Sequence, residues 1–210
     1  IFMNITLPFK KESQSVVSLD LKTLVIVGAN GSGKTRFGSK IEESCKDITH
    51  RISAQKSLIM PDFVSPKSIK IANNEFLYGN NDDDIEYLKK YKKAHRWKDK
   101  PNTYLLNDYE KLLVLLHTEE YEQSLHYKEN GGDKPFTKLD KIQEIWEKIL
   151  PHRKLKKEAG VIKTYPLDDS NSIYNSSEMS DGERVIFYLI GEVLCVPENS
   201  IIIIDEPEMH

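Results

Sequence analysis

One stretch decides the fold of this 210-residue chain: Gly28-Ala29-Asn30-Gly31-Ser32-Gly33-Lys34-Thr35. Its glycine spacing and its final lysine and threonine match a loop that wraps backbone N–H groups around phosphate. The apolar run 24–27 before the loop predicts a buried strand, and the four-residue spacing of Phe37, Ile41 and Cys45 after it predicts one face of a helix. The order strand, loop, helix is the context that a phosphate loop requires.

Each residue type in the loop has a physical reason. Gly28 and Gly33 permit backbone angles and a close approach that a side chain would prevent, so that successive N–H groups point at a phosphate. Lys34 is expected to neutralise β- and γ-phosphate oxygens, and the Thr35 hydroxyl to ligate Mg²⁺. The loop therefore predicts ATP and Mg²⁺ as bound groups, and the binding set is completed by Ala29, Asn30, Gly31, Ser32 and Arg36.

A second chemical cluster lies at the other end of the chain. The run 201–204 consists of four isoleucines, which predicts a strand buried on both faces, and Asp205 and Glu206 follow it. Ligands of parallel α/β sheets bind at this carboxyl edge. We expect Asp205 to hold Mg²⁺ and Glu206 to act as general base on an attacking water. Because neighbouring side chains on a strand point in opposite directions, Glu206 needs a bend at the strand end to face the nucleotide.

Composition sets the class of protein. Hydrophobic residues make up 39% and charged residues 30% of the chain, which is typical of one globular domain or of one domain with an insertion. No apolar run approaches the roughly 20 residues of a membrane span, and the first residues show no signal-peptide pattern, so we expect a cytoplasmic protein without a membrane partner. The net charge of -3 gives no general attraction to nucleic acid.

The cysteines and three of the histidines have spacings that do not indicate metal sites. Cys45 and Cys195 fall on apolar helix faces, which favours buried free thiols. His117, His126 and His152 form no pairs with carboxylates at helical spacing, so structural or surface roles are expected for them.

The order of elements predicts an α/β core interrupted by a mainly helical insertion. Between Asn73 and Thr164 the composition shifts toward long charged and aromatic side chains. We expect early strands near 1–8 and 15–22, helices near 83–98, 103–128 and 137–150, and a division of the chain into a core at 1–72, the insertion at 73–165 and a final segment at 166–210.

Two polar segments between the loop 28–35 and Asp205 could contact a nucleotide, and each also has a simpler structural explanation. Gln55 follows a predicted short strand, where its side chain could reach a metal or the attacking water, although most loop glutamines are only solvated. Ser180 and Gly182 precede an apolar helix, and Ser180 with Glu183 three residues later also fits an ordinary capping box.

A basic stretch lies inside the insertion. Seven lysine or arginine residues between Lys89 and Lys100 are interleaved with Tyr91 and Trp97. Such a stretch can hold phosphates while stacking bases, can form a partner-protein surface, or can be a solvated helix face. The sequence leaves these three readings open.

Taken together, the motifs resemble the ATP-binding-cassette class of P-loop ATPases. The loop 28–35, with asparagine at its third position, is similar to the phosphate loop of that class, and Ile201–Glu206 is similar to its Walker B strand. Ser180-Asp181-Gly182-Glu183 resembles the signature motif, and Gln55 resembles the glutamine of the glutamine loop. The resemblance implies an α/β ATPase head with N-terminal antiparallel strands and a helical insertion, ending after the Walker B strand.

The resemblance also implies a mechanism and partners. In this class two heads sandwich two ATP molecules, and Ser180 and Gly182 of one head would contact the γ-phosphate held by Lys34 of the other. Glu206, Lys34 and Gln55 would be catalytic, while Thr35, Gln55 and Asp205 would serve the metal. The class continues into further strands and a switch histidine, so we expect either a fragment or an incomplete, poorly active head. Phe9 is a candidate for stacking on adenine.

Within the class, the insertion and the short N-terminal strands resemble the RecF, SMC and OLD groups, and the resemblance extends to PtuA-type ATPases of Septu and retron anti-phage systems. The motifs quoted for this placement are 51–58 and 33–38. It implies a head that regulates a nuclease or effector, such as an HNH-type PtuB-like subunit, with DNA or retron RNA–DNA and a reverse transcriptase as further partners. The alternatives are a DNA-repair or chromosome-structure ATPase that binds DNA directly, a nucleotide-stabilised scaffold without enzymatic activity and, less favoured, a transporter ATPase.

Overall fold

The computed structural model of the chain describes residues 22–207. In this part the fold is α/β, as predicted, with six α-helices and two small sheets. The strand predicted at 1–8, nearly all of the one at 15–22, and Phe9 lie outside the described residues. The elements in chain order are α1 (Lys34–Ser44), β1 (Thr49–Ile52), α2 (Ile69–Tyr78), α3 (Ile85–Trp97), α4 (Tyr109–Asn130), α5 (Lys138–Ile149), β2 (Arg153–Glu158), β3 (Val161–Pro166), β4 (Tyr174–Asn175), a short 3-10 helix (Ser176–Glu178), α6 (Asp181–Cys195) and β5 (Ile201–Ile204).

Two parallel strands, β1 and β5, bring the beginning and the end of the described chain together. Thr49 is paired with Ile201 and Ile52 with Ile204. The pairing extends one residue further, since the Asp205 amide donates to the Ile52 carbonyl at 3.0 Å. Both strands therefore end at the same edge of the sheet, and Gln55 and Asp205 follow them in the chain.

The environment of β5 differs from the prediction. All of β1 is buried, but Ile202 and Ile204 of β5 are 36% and 39% exposed. The expectation of a strand buried on both faces is thus wrong within residues 22–207, because the elements described there cover only one face of β5.

The run 24–27 forms no strand in the structure, so that prediction is also wrong. Val25 and Val27 are 79% and 90% exposed, and the run joins neither edge of the β1–β5 pair among the described strands. A strand needs neighbours for its backbone N–H and C=O groups, and an apolar sequence alone does not supply them.

The segment 73–165, the predicted insertion, is mainly helical, and two of its helices, α3 and α5, begin at capping side chains, whereas Asp108 before α4 makes no side-chain capping bond. Asp84 starts α3 by accepting hydrogen bonds from the Glu86 and Tyr87 amides at 2.9 and 3.1 Å, and Thr137 starts α5 in a capping box with Asp140. The helix expected at 103–128 begins later, at Tyr109, and ends at Asn130. The helix α2 was missed, as was the hairpin β2–β3.

The core lies around α4, whose first half is buried on nearly all sides. It packs between α2, α5 and α6, and its leucines 112, 113, 115 and 116 are at most 2% exposed. At Gly191 of α6, an added Cβ would lie 2.8 Å from a methyl carbon of Leu112, so glycine is required for this close helix approach. No helix among residues 22–207 is long and apolar enough to cross a membrane.

Candidate active site

The predicted phosphate loop, residues 28–35, is closed by two hydrogen bonds between its own residues. The Ser32 amide donates to the Ala29 carbonyl at 3.0 Å, and Lys34 Nζ donates back to the Gly28 carbonyl at 3.0 Å. Gly33 has a φ of 93°, a left-handed conformation that favours glycine. An added Cβ at Gly28 would lie 2.6 Å from Ser32 Oγ. The φ of Gly33 supports the prediction that glycine is needed there, whereas at Gly28 only the rotatable side chain of Ser32 limits the space for a Cβ.

The start of α1 offers unpaired amide groups. The N-cap residue, Gly33, has no side chain to accept from them, and the first turn of α1 contains no acidic residue. Within the described part of the chain, the amides of Lys34, Thr35 and Arg36 find no acceptor, and the first helical bond runs from Phe37 to Gly33 at 2.9 Å. Unpaired amides and the positive end of the helix dipole are together suited to an anion.

The same helix is packed against both parallel strands. An added Cβ at Gly38 would lie 3.3 Å from Ile203 Cγ2 and 3.7 Å from Arg51 Cδ, so α1 crosses β1 and β5 in close contact. The Thr49 amide donates to the carbonyl of Cys45, just after the helix, at 3.0 Å. Because only four residues, 45–48, connect α1 to β1, the helix runs antiparallel to the strand. At about 1.5 Å per residue, the helix is also about as long as the strand. The loop and the carboxyl edge of the strands therefore lie at the same end.

At this edge Gln55 follows β1 and Asp205 follows β5, so both residues lie beyond the carboxyl ends of one strand pair. The Gln55 amide donates to Ser53 Oγ at 3.1 Å, and its carbonyl accepts from the Leu106 amide at 3.0 Å. The backbone of Gln55 is thus fixed while the residue is exposed. Leu106 belongs to the insertion, so the insertion holds this loop in place.

One oxygen of the Asp205 carboxylate is buried without a hydrogen-bond partner among the described residues. The residue is only 9% exposed, and this oxygen is Oδ2. A buried carboxylate oxygen without a donor carries a desolvation cost, which a cation or a water held by a cation would offset. No group of three or more His, Cys, Asp or Glu side chains between residues 22 and 207 is arranged to hold a metal. A cation here would depend on Asp205, Thr35 and oxygens of its ligand.

The bend that Glu206 requires is present. The strand ends at Ile204, and Glu206 has a φ of 47°, which places a residue with a Cβ in the left-handed region. Such a conformation costs of order 1 kcal/mol and is found preferentially at functional sites. Neither Asp205 nor Glu206 makes a side-chain hydrogen bond or ion pair with Lys34 or Thr35 in the described structure, so a bound molecule would have to join the two clusters.

Lys56 is a charged neighbour of this edge that sequence reasoning missed. It is only 7% exposed, and burial lowers its pKa while the charge of Asp205 acts in the opposite direction. The sequence offers no signal for this burial, because Lys56 follows the exposed Gln55 in a polar segment.

Ser180 and Gly182 lie at the exposed start of α6. The Ser180 hydroxyl accepts from the Glu183 amide at 3.3 Å, and the Glu183 carboxylate accepts from the Ser180 amide at 2.8 Å. This is the capping box that the sequence predicts. An added Cβ at Gly182 would meet no atom within 4 Å, so the surface here is open. In the described chain neither residue contacts the phosphate loop.

A buried ionic cluster, which the sequence does not predict, joins β1 to α3 and α6. His50 of β1 is 2.5 Å from the Glu192 carboxylate of α6, and Arg96 of α3 donates to the Asp108 carboxylate at 3.0 Å. Tyr188 donates to the other oxygen of Asp108 at 2.7 Å. Burial, opposed by Arg96, raises the pKa of Glu192 to about 7, and burial first and then Arg96 lower the pKa of His50.

The basic stretch 89–100 is divided between this interior and the surface. Trp97 is 1% exposed and donates to the Glu42 carboxylate at 3.1 Å, and Arg96 is 4% exposed. Lys92 Nζ donates to the Lys46 carbonyl at 3.1 Å. The reading in which Trp97 stacks on bases is therefore wrong, because the ring is enclosed, and only Tyr91 of the two aromatic residues is exposed.

Comparisons of the chain with protein-family models, with curated proteins and with solved structures found no match.

Proposed function

We propose that this chain is an ATP-binding and ATP-hydrolysing head that depends on Mg²⁺. The observation that carries the proposal is the placement of the amide-rich start of α1 at the same end as the carboxyl edge that holds Gln55, Asp205 and Glu206. Unpaired amides suit phosphate, and an unpartnered buried carboxylate suits a cation, so the two halves fit complementary parts of one ligand, a magnesium-bound triphosphate.

The residues of the site would have the following roles. The loop amides and Lys34 bind and orient the β- and γ-phosphates, with Lys34 released from the Gly28 carbonyl to which it now donates. Thr35 and Asp205 hold the metal, which when bound neutralises charge on the phosphate oxygens. Gln55 positions the attacking water, and Glu206 accepts its proton.

The open surface around Gly182 supports a second proposal of the same mechanism, in which two heads associate on ATP. Exposed amides at the start of α6 can contact a γ-phosphate held by the partner head, so ATP would stabilise the dimer. By resemblance, such a dimer would regulate a nuclease or effector subunit in prokaryotic anti-phage defence. The insertion provides the surface for that subunit.

The test compares Glu206→Gln with Lys34→Ala. The Gln variant should bind ATP, release little phosphate and remain dimeric by light scattering, because the nucleotide is bound but not hydrolysed. The Ala variant should lose ATP binding and remain monomeric with Mg²⁺ and ATP present. Wild-type rates of phosphate release in the Gln variant, with an unchanged oligomeric state, would refute the catalytic role of Glu206.

A further inference from the structure

The carboxylate of Glu183, in the first turn of α6, accepts hydrogen bonds from two sides. One oxygen, Oε2, accepts from the Ser180 amide at 2.8 Å and from the Ser180 hydroxyl at 2.9 Å, which closes the cap of the helix. The other oxygen, Oε1, accepts from Arg153 Nε at 3.0 Å and from the Tyr174 hydroxyl at 3.1 Å. These four donors fill the about four acceptor positions of a carboxylate, so the group is fully paired.

The two pairs of donors come from different parts of the fold. Ser180 is the N-cap of α6, whereas Arg153 and Tyr174 lie on β2 and β4 of the three-stranded sheet. The backbone of Glu183 is held as well, since Trp146 Nε1 donates to its carbonyl at 3.1 Å. Burial alone would raise the pKa of Glu183, but the hydrogen bonds of the four donors lower it. The carboxylate is therefore charged and fixed, and it is only 8% exposed.

The Ser180 hydroxyl has one proton, and that proton is already engaged by Glu183 Oε2. To donate to the γ-phosphate of a second head, the hydroxyl has to turn away from the carboxylate. Glu183 then loses one of its four donors, and the loss of a donor is costly for a buried charged group. Arg153 and Tyr174 are bound to the other oxygen, so their hydrogen bonds remain intact during this exchange.

We propose that Arg153 and Tyr174 are positioning residues for the ATP-dependent association of two heads. From the side of the sheet they hold the Glu183 carboxylate in place, so that the helix start keeps its shape while the Ser180 hydroxyl turns to the γ-phosphate. They act through Glu183 and make no contact with the nucleotide. This role rests on the proposed function, in which Ser180 of one head contacts the nucleotide of the other.

The experiment measures the dissociation constant of the dimer by analytical ultracentrifugation, with Mg²⁺ and the non-hydrolysable ATP analogue AMP-PNP. Arg153→Gln and Tyr174→Phe should each weaken the dimer by roughly tenfold, because each removes one hydrogen bond to a charged group. Arg153→Lys, which keeps a charged donor, should recover most of the loss. Calorimetry at concentrations at which the chain is monomeric should give the wild-type affinity for AMP-PNP in all three variants.

The matched control is Lys154→Gln, at the next residue of β2. The Lys154 side chain is about as exposed as that of Arg153, but its ammonium is paired with Glu147 of α5. This variant should dimerise as the wild type does. A second control places Arg153→Gln in a Ser180→Ala background, where Glu183 has the same donors before and after association. The Arg153 change should have little effect there, whereas a merely structural role would weaken the dimer equally in both backgrounds.

Three results would overturn the proposal. Equal dimer formation by the wild type and by Arg153→Gln would exclude the positioning role and leave ATP-driven association intact. An equal loss in Lys154→Gln, or in the Ser180→Ala background, would show that the changes act through the general stability of the sheet. A wild-type chain that stays monomeric with AMP-PNP would refute the dimer itself, and with it the role of Arg153 and Tyr174.

Discussion

The left-handed bend at Glu206 allows backbone geometry and chemistry to be tested at one position. In the described structure the Glu206 side chain makes no hydrogen bond or ion pair, so its truncation should cost little stability. Its φ of 47° is strained for a residue with a Cβ and is relaxed for glycine. We therefore predict that Glu206→Gly stabilises the chain, whereas Glu206→Ala leaves its stability close to that of the wild type.

The size of this effect follows from the cost of the left-handed region. That cost is about 1–2 kcal/mol for a residue with a Cβ, and the greater freedom of glycine in the unfolded chain offsets part of it. The net gain should be about 1 kcal/mol, which corresponds to roughly 2–4 °C in melting temperature for a chain of this length. The Ala variant keeps the strain and is the matched control.

The assay is urea unfolding without nucleotide, paired with phosphate release in the presence of Mg²⁺ and ATP. The Gly variant should unfold at higher urea than the Ala variant, while both lose turnover because neither has a base. Equal stability of the two variants would show that the bend does not exist in solution. Turnover at the wild-type level in both would show that the carboxylate of Glu206 takes no part in hydrolysis.

Three further changes test the buried acid, the loop and the start of α6. Because the pKa of Glu192 is raised to about 7 from 4.5, its contribution to stability is full below pH 4.5 and is lost as the pH rises through 7. Glu192→Gln should therefore gain up to about 3 kcal/mol on the wild type between pH 5 and pH 8 in urea unfolding, and a pH-independent difference would contradict the assignment. Gly33→Ala should destabilise the chain by about 1 kcal/mol, since its φ of 93° is strained although nothing lies within 4 Å of the new Cβ, and an unchanged melting temperature would argue against the loop geometry. Gly182→Ala should raise stability by about 0.5 kcal/mol but reduce dimer formation on ATP, measured by light scattering, and an unimpaired dimer would remove Gly182 from the contact.

The parts of the fold that the sequence predicts correctly are those with local signals. The helices expected near 83–98 and 137–150 start at the caps Asp84 and Thr137, which act within a few residues of themselves, so these helix starts have a signal in the local sequence. The missed helix α2 also has such signals, a serine cap at Ser68 and a left-handed glycine at Gly79.

The hairpin β2–β3 was missed for a different reason. The strand β2, Arg153–Glu158, is almost entirely charged and has no alternation of apolar residues. One of its lysines, Lys157, is paired with acids that lie far away in the sequence, Glu120 at 2.7 Å and Asp140 at 2.6 Å. Pattern reasoning cannot detect a strand whose polar face is neutralised by a neighbouring helix.

The candidate site also contains residues whose positions follow from local sequence and residues whose positions depend on distant partners. The sequence marks the carboxyl end of β5, where Asp205 lies, as a place for ligands. The position of Gln55 at the same edge depends on the pairing of β1 with β5, which the sequence does not show. The burial of Arg96 and Trp97 depends instead on distant partners, Asp108 and Glu42, so the basic stretch has the same sequence whether it is exposed or enclosed.

The buried cluster gives the insertion a mechanical role. Arg96 of α3 donates to the Arg51 carbonyl at 3.2 Å, and β1 then leads to Gln55. Asp108, next to α4, accepts from Tyr188 of α6, the helix that begins at Ser180. A shift of the insertion against either motif would have to break charged hydrogen bonds in the interior, each worth about 1.5–3 kcal/mol. Because breaking only part of such a network leaves charges buried without partners, the insertion and the two motifs should move as one body. A protein bound to the insertion would therefore act on Gln55 and on the start of α6 together.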